Sequence, residues 1–228
     1  MQFKRLNMER LTEEQYKELI LKTEVIEKDQ FGEKVLRYSD GSYMKIFRLK
    51  RFFSSALIYP YWRRFVRNAY GLKRKKIPTI EKIVSIVSIP HLKKTGVLYL
   101  PLVGDTLKTV LNENKLTDDL IFKFGEFVAI LHHKGIYFSS LHLGNVVLTK
   151  ENAFGLIDIS DMRIVPFPIP LFTKKANLDY LFRCRQGMKL LSSTQREKFI
   201  AGYVKQSPKA LKAVMQKDLE EKHKKLQG

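Results

Sequence analysis

A chain of 228 residues that is 44% hydrophobic can build one sizeable core or a small two-lobed domain, and its 29% charged and 11% aromatic content is not that of a disordered segment. The single cysteine, Cys184, excludes an internal disulfide framework, and no apolar run reaches the roughly 18 to 20 residues of a membrane span. Lys and Arg number 42 against 23 Asp and Glu, and a net charge of +19 favours an anionic partner: nucleic acid, a membrane face or a phosphorylated substrate. Met1–Lys17 is already charged and unlike a signal peptide, so the expected location is cytoplasmic.

In chain order, Thr12–Lys22 is predicted as a helix, capped by Thr12 and acidic in its first turn. Val35–Phe47 alternates apolar and polar residues around Asp40-Gly41, which predicts a hairpin with a two-residue turn. Trp62, Phe65, Ala69 and Leu72 recur at helical spacing within Tyr61–Lys75, and Ile77-Pro78 ends that helix. Ile80–Ile89 and Gly96–Leu102 read as strands. Leu107–Asn112 and Thr117–Lys134 read as helices, the second with a stripe of Leu120, Ile121, Phe124, Phe127, Val128 and Leu131. Two brief strands, Asn145–Leu148 and Gly155–Ile159, flank a turn at Lys150–Ala153, and the chain from Leu178 on is mainly helical. Strands first and helices afterwards give an α+β fold with a β-rich part over 1–101 and a helical part over 102–228.

The chemistry concentrates in Gly135–Leu148 and Gly155–Asp161. A helix ends at a glycine turn, a loop leads to Asn145 before one short strand, and a second strand closes on Asp158. An amide oxygen and a carboxylate are hard ligands suited to Mg²⁺. In order and position this stretch resembles the catalytic and metal-binding loops of protein kinases and their small-molecule relatives. Among these it is most similar to the bacterial lipopolysaccharide core kinases (the Kdo and WaaP group), and more narrowly to sequences described in pseudomonads as toluene tolerance protein. The resembling parts are Lys34–Arg48, Arg67–Pro78, Leu141–Asn145, Gly155–Asp158 and Asn177–Leu181, spread over roughly residues 24 to 205.

The resemblance implies a two-lobed protein-kinase-like fold, a small β-rich N-lobe and a helical C-lobe, using ATP and Mg²⁺. It gives Lys45 the α- and β-phosphates, Asn145 and Asp158 the metal, and the backbone around Leu98 and Leu100 the adenine. The implied acceptor is a sugar of lipopolysaccharide core or a related envelope glycolipid, reached from the inner face of the cytoplasmic membrane.

The sequence also departs from that pattern. Five residues before Asn145, where the kinase base should be, stands Ser140, and the usual His-Arg-Asp triplet reads Phe138-Ser139-Ser140. A hydroxyl cannot take a proton near neutral pH as a carboxylate can. His142 is the candidate substitute base; its alternative is packing or a hydrogen bond within the loop. Asp161 is either a second carboxylate or a cap, and His132 and His133 are expected to favour the helix C-terminus. No acid between Gly41 and Ile80 can pair with Lys45, and no Gly-x-Gly-x-x-Gly loop covers a nucleotide. A catalytically silent pseudokinase, binding nucleotide or acting as a scaffold, is therefore the alternative to an enzyme.

Gly41–Ile80 holds 11 basic residues. Within it Arg48–Phe53 and Tyr59–Phe65 interleave cations with aromatics, as a peripheral membrane or glycolipid face would. Nucleic acid, whose bases stack on aromatics, is the second candidate for this block.

Overall fold

Alternation along one strand organises the first sheet. In β4 (Tyr43–Arg48), Met44 and Ile46 are buried on one face, while Tyr43 and Lys45 lie half-buried on the other. The computed structural model describes residues 8–48 and 60–227, an α+β chain in two units. One holds the described residues up to Tyr70 with Thr79–Leu102; the other holds Gly71–Pro78 and the chain from Val103 on. No described helix is long and apolar enough to cross a membrane.

The first unit is a six-stranded sheet of β1 (Met8–Arg10), β2 (Glu24–Asp29), β3 (Gly32–Arg37), β4, β5 (Lys82–Ile89) and β6 (Lys94–Leu100). Its order is β1-β5-β6-β4-β3-β2, antiparallel except for the β1–β5 pair. Helix α1 (Glu13–Leu21) starts at the expected cap, where Thr12 and Gln15 form a capping box. Its Tyr16 joins Leu36, Met44, Ile46, Val87 and Ile89 in one core cluster. On the opposite face Phe65, from α2 (Tyr61–Arg74), packs on Phe47 and Tyr99, with ring centroids 5.7 and 5.3 Å away. Phe65 is thus a core aromatic.

The hairpin is present, but its loop has three residues rather than two. Tyr38 N–H donates to Ser42 O at 2.9 Å, Gly41 N–H donates back to Tyr38 O at 3.0 Å, and Gly41 sits at φ 81°. That is a turn followed by a left-handed residue, for which glycine carries no steric penalty.

The second unit holds α3 (Leu107–Asn112), α4 (Asp118–His133), α5 (Leu171–Arg183), α6 (Ser193–Gln206) and α7 (Lys212–Lys224). Its strands are β7 (Gly104–Thr106), β8 (Ile136–Phe138), β9 (Val146–Thr149), β10 (Phe154–Leu156) and β11 (Met162–Ile164). They form a β10-β9-β7 sheet and a β11-β8 pair. The core is the α4–α6 contact, where two glycines bring backbones together. A Cβ on Gly125 would lie 2.1 Å from Phe199 O, and one on Gly202 would lie 1.9 Å from Phe122 O. Helix α5 begins seven residues before the expected helical region at Leu178, just after Pro170, a residue suited to a helix start.

The expected division at 101/102 needs one correction, because Gly71–Pro78 belongs to the second unit. Gly71 packs under Ile164, whose Cδ1 would lie 2.7 Å from an added Cβ, and Pro78 O accepts the Leu156 N–H at 2.9 Å. Of the basic aromatic block, residues 49–59 lie outside the described residues. At its edges, Arg48 stacks on Phe31 at 3.5 Å, and Arg63 and Arg64 lie 5.1 Å from the rings of Trp62 and Tyr61.

Candidate functional site

Strand β8 delivers the chain to the candidate loop, and a buried polar network fixes its end. Asn177 donates Nδ2–H to Phe138 O at 2.7 Å, which turns its Oδ1 toward His132 Nε2, 3.1 Å away. Nε2 must then carry the ring proton, so Nδ1 accepts from the Tyr203 hydroxyl at 2.8 Å. Burial lowers the His132 pKa to about 4, with Asn177 opposing the shift and Lys174 adding to it. His132 is therefore a neutral core residue rather than a cation at the helix C-terminus; His133 is exposed.

Beyond Phe138 the loop folds back on itself. Ser139 donates from both N–H (3.2 Å) and Oγ (2.6 Å) to Asp161 O. Asp161 thus contributes its carbonyl, and its side chain is exposed. Asn145 donates Nδ2–H to Ser140 O at 2.9 Å, leaving its Oδ1 as the remaining acceptor. Ser140 itself is half-buried, and Asn145 is buried.

Leu156 pairs with Val146 in the β9–β10 hairpin, and Ile157 N–H donates to Asn145 O at 3.1 Å. The next residue is Asp158, so the hairpin brings the amide and the carboxylate to the same end of one small sheet. Asp158 is exposed, stands at φ 51°, ψ 45°, and makes no capping bond to the turn it opens. A left-handed aspartate costs on the order of 1 kcal/mol, the kind of local strain that concentrates at functional sites.

His142 takes the second of its two expected roles. Its Nδ1 accepts the Gly144 N–H at 3.1 Å. Burial holds its imidazole below the ordinary histidine range; Asp158 pulls it up and Lys108 pushes it further down. In the neutral ring Nε2 then carries the proton while Nδ1 is engaged with the loop backbone. Two further residues flank the loop. Gln186 O accepts the Leu143 N–H at 3.0 Å, and Lys108 Nζ lies 3.4 Å from Gln186 Oε1. Neither stood out in the sequence, which has no motif around them.

No model of a known protein family matches this chain, and no curated protein does.

The donor types at Asn145 and Asp158, one amide oxygen and one exposed carboxylate, are hard oxygen ligands of the kind Mg²⁺ takes. Among the described residues, no group of three or more His, Cys, Asp and Glu could hold a metal. Two protein ligands suit an ion that keeps water and takes the rest of its shell from phosphates.

In the sheet unit, Lys45 lies half-buried between Val35 and Val97 on the neighbouring strands. Leu98 lies mid-sheet, paired with Met44 on one side and Ser85 on the other, and its side chain packs on the core cluster. Leu100 O already accepts the Glu81 N–H at 2.9 Å. The Leu98 backbone thus lies within the ladder, with a strand on either side.

Proposed function

We propose that the protein is an ATP- and Mg²⁺-dependent phosphotransferase of protein-kinase type, acting on a sugar of lipopolysaccharide core or a related envelope glycolipid. The observation that carries it is the pairing of Asn145 and Asp158 at one end of the β9–β10 hairpin, with Asp158 held left-handed. The resemblance supplies the kinase class and the acceptor, and assigns Lys45 to the α- and β-phosphates. Mg²⁺ at these oxygens would neutralise charge on the transferring phosphate. Asn145 and Asp158 orient the ion, and Ser140 positions the acceptor hydroxyl without taking its proton. Phosphoryl transfer depends mostly on positioning and charge, so loss of the base slows it without abolishing it. The protein works in the cytoplasm at the membrane's inner face.

A specific feature favours a second proposal, a nucleotide-binding pseudokinase: Ser140 stands where the base is expected, and His142 Nδ1 is engaged by the Gly144 N–H. Incubation with labelled ATP, Mg²⁺ and extracted core glycolipid separates the two. Transfer that Asp158→Ala abolishes supports the enzyme. Nucleotide binding without transfer to any core acceptor supports the silent protein.

A further inference from the structure

Val165–Phe172 reads Val-Pro-Phe-Pro-Ile-Pro-Leu-Phe, and its three prolines favour extended chain. The segment is pinned to the helical unit. Val165 N–H donates to Gly135 O at 2.9 Å, and Ile169 N–H donates to His132 O at 3.0 Å. Gly135 permits the approach: at φ 77°, its missing Cβ would lie 2.3 Å from the carbonyls of both Val165 and Phe167. Ile169 is buried beneath, yet Phe167 is 60% exposed and Phe172 is 75% exposed. Large apolar side chains held out to solvent on a fixed support mark a contact surface.

Charge identifies the partner. Lys75 Nζ lies 3.4 Å from Pro166 O and Lys134 Nζ lies 2.6 Å from Lys75 O, which brings the run Lys73-Arg74-Lys75-Lys76 beside the segment. Lys73, Arg74 and Lys76 are exposed, and neither Gly71–Pro78 nor Met162–Leu178 contains an Asp or Glu. Val165–Phe172 has no side chain that donates or accepts a hydrogen bond, and three of its residues lack a backbone N–H. The Val165–Phe172 segment itself offers no hydrogen bond to a base edge, whereas apolar side chains beside Lys and Arg suit the boundary between acyl chains and anionic headgroups.

We propose that Phe167 and Phe172, with Lys73–Lys76, dock the helical unit on an anionic lipid bilayer. The surface supplies the membrane contact that the proposed function invokes. It is tested without nucleotide, so that failure of docking and failure of phosphotransfer are separate results.

The test is sedimentation of the full chain with phosphatidylglycerol-containing vesicles, pure phosphatidylcholine vesicles and, in parallel, a single-stranded RNA. Expected is binding to the anionic vesicles only, weakened at least about tenfold in Phe167→Ser/Phe172→Ser, because each buried phenyl ring is worth more than the free energy of one decade. Lys73→Gln/Arg74→Gln/Lys76→Gln should weaken it similarly and reduce its salt dependence. All five side chains are exposed, and unchanged melting curves verify the fold. Absence of vesicle binding, equal binding by the double Phe variant, or loss of RNA binding alone in that variant overturns the proposal.

Discussion

Asn145 donates its side-chain amide to the main-chain carbonyl of Ser140, 2.9 Å away. Ser140 thus orients the Asn145 amide through its backbone, a contact that any residue at position 140 can make. In the proposed phosphotransferase, serine there would remove the base while leaving the Asn145 amide in place.

This bond sets the order of two substitutions. Asn145→Asp is the better metal ligand on charge alone, but it replaces a donor with an acceptor facing Ser140 O. It should destabilise the loop by about 1–3 kcal/mol and bind Mg·ATP no better than Asn145→Ala. Denaturant melts and nucleotide titrations of both variants check it. Tighter binding by Asn145→Asp would show that the bond does not orient the ligand.

Ser140→Asp tests the missing base. The Asn145 bond uses only the Ser140 carbonyl, so the new carboxylate enters without breaking it. Turnover should rise by about 10² to 10⁴ if the remaining parts are those of a kinase. Steady-state ATP consumption with core glycolipid reads it directly; an unchanged rate favours the silent protein.

His132 predicts a pH dependence of stability. Its native pKa is about 4, against the ordinary histidine value of 6.5, because burial penalises the charged ring. Between these values the unfolded chain takes up a proton that the native state refuses, so acid favours unfolding. The stabilisation is complete above about pH 6.5 and is lost progressively toward pH 4, about 3 kcal/mol in all. Chemical denaturation across this range should show that slope in the parent and its loss in His132→Gln. An equal slope in both would remove His132 as its source.

Gly125→Ala and Gly202→Ala should each destabilise by at least about 2 kcal/mol, since the added methyl meets a carbonyl oxygen on the facing helix. Urea unfolding midpoints test this; parental midpoints would mean that the helices separate without strain.

Much of this was legible in the sequence because local rules wrote it. The Thr12 cap, the apolar stripe of Thr117–Lys134 and the alternation through Met44 and Ile46 all depend on near neighbours. Strand β2 was missed because its six residues are all exposed and four are charged, so no buried face marks it. The roles of His132 and His142 depended on contacts from distant residues or on which ring nitrogen faces a backbone N–H. Asn177 lay in a stretch quoted for the resemblance, but its bond to Phe138 O is set by tertiary packing. Gly125 and Gly202 look like weak points in helices until the facing backbone is seen.

Asp158 is the residue on which the account turns. If the proposed role is right, this left-handed position should tolerate glycine structurally and lose function. Asp158→Gly should therefore keep its stability or gain up to about 1 kcal/mol. The most direct measurement is calorimetric titration of ATP with Mg²⁺ into the parent chain and Asp158→Gly, alongside their thermal melts. Expected is Mg²⁺-dependent ATP binding by the parent and none by an equally stable Asp158→Gly. No nucleotide binding by the parent, or equal binding by both proteins, would contradict it.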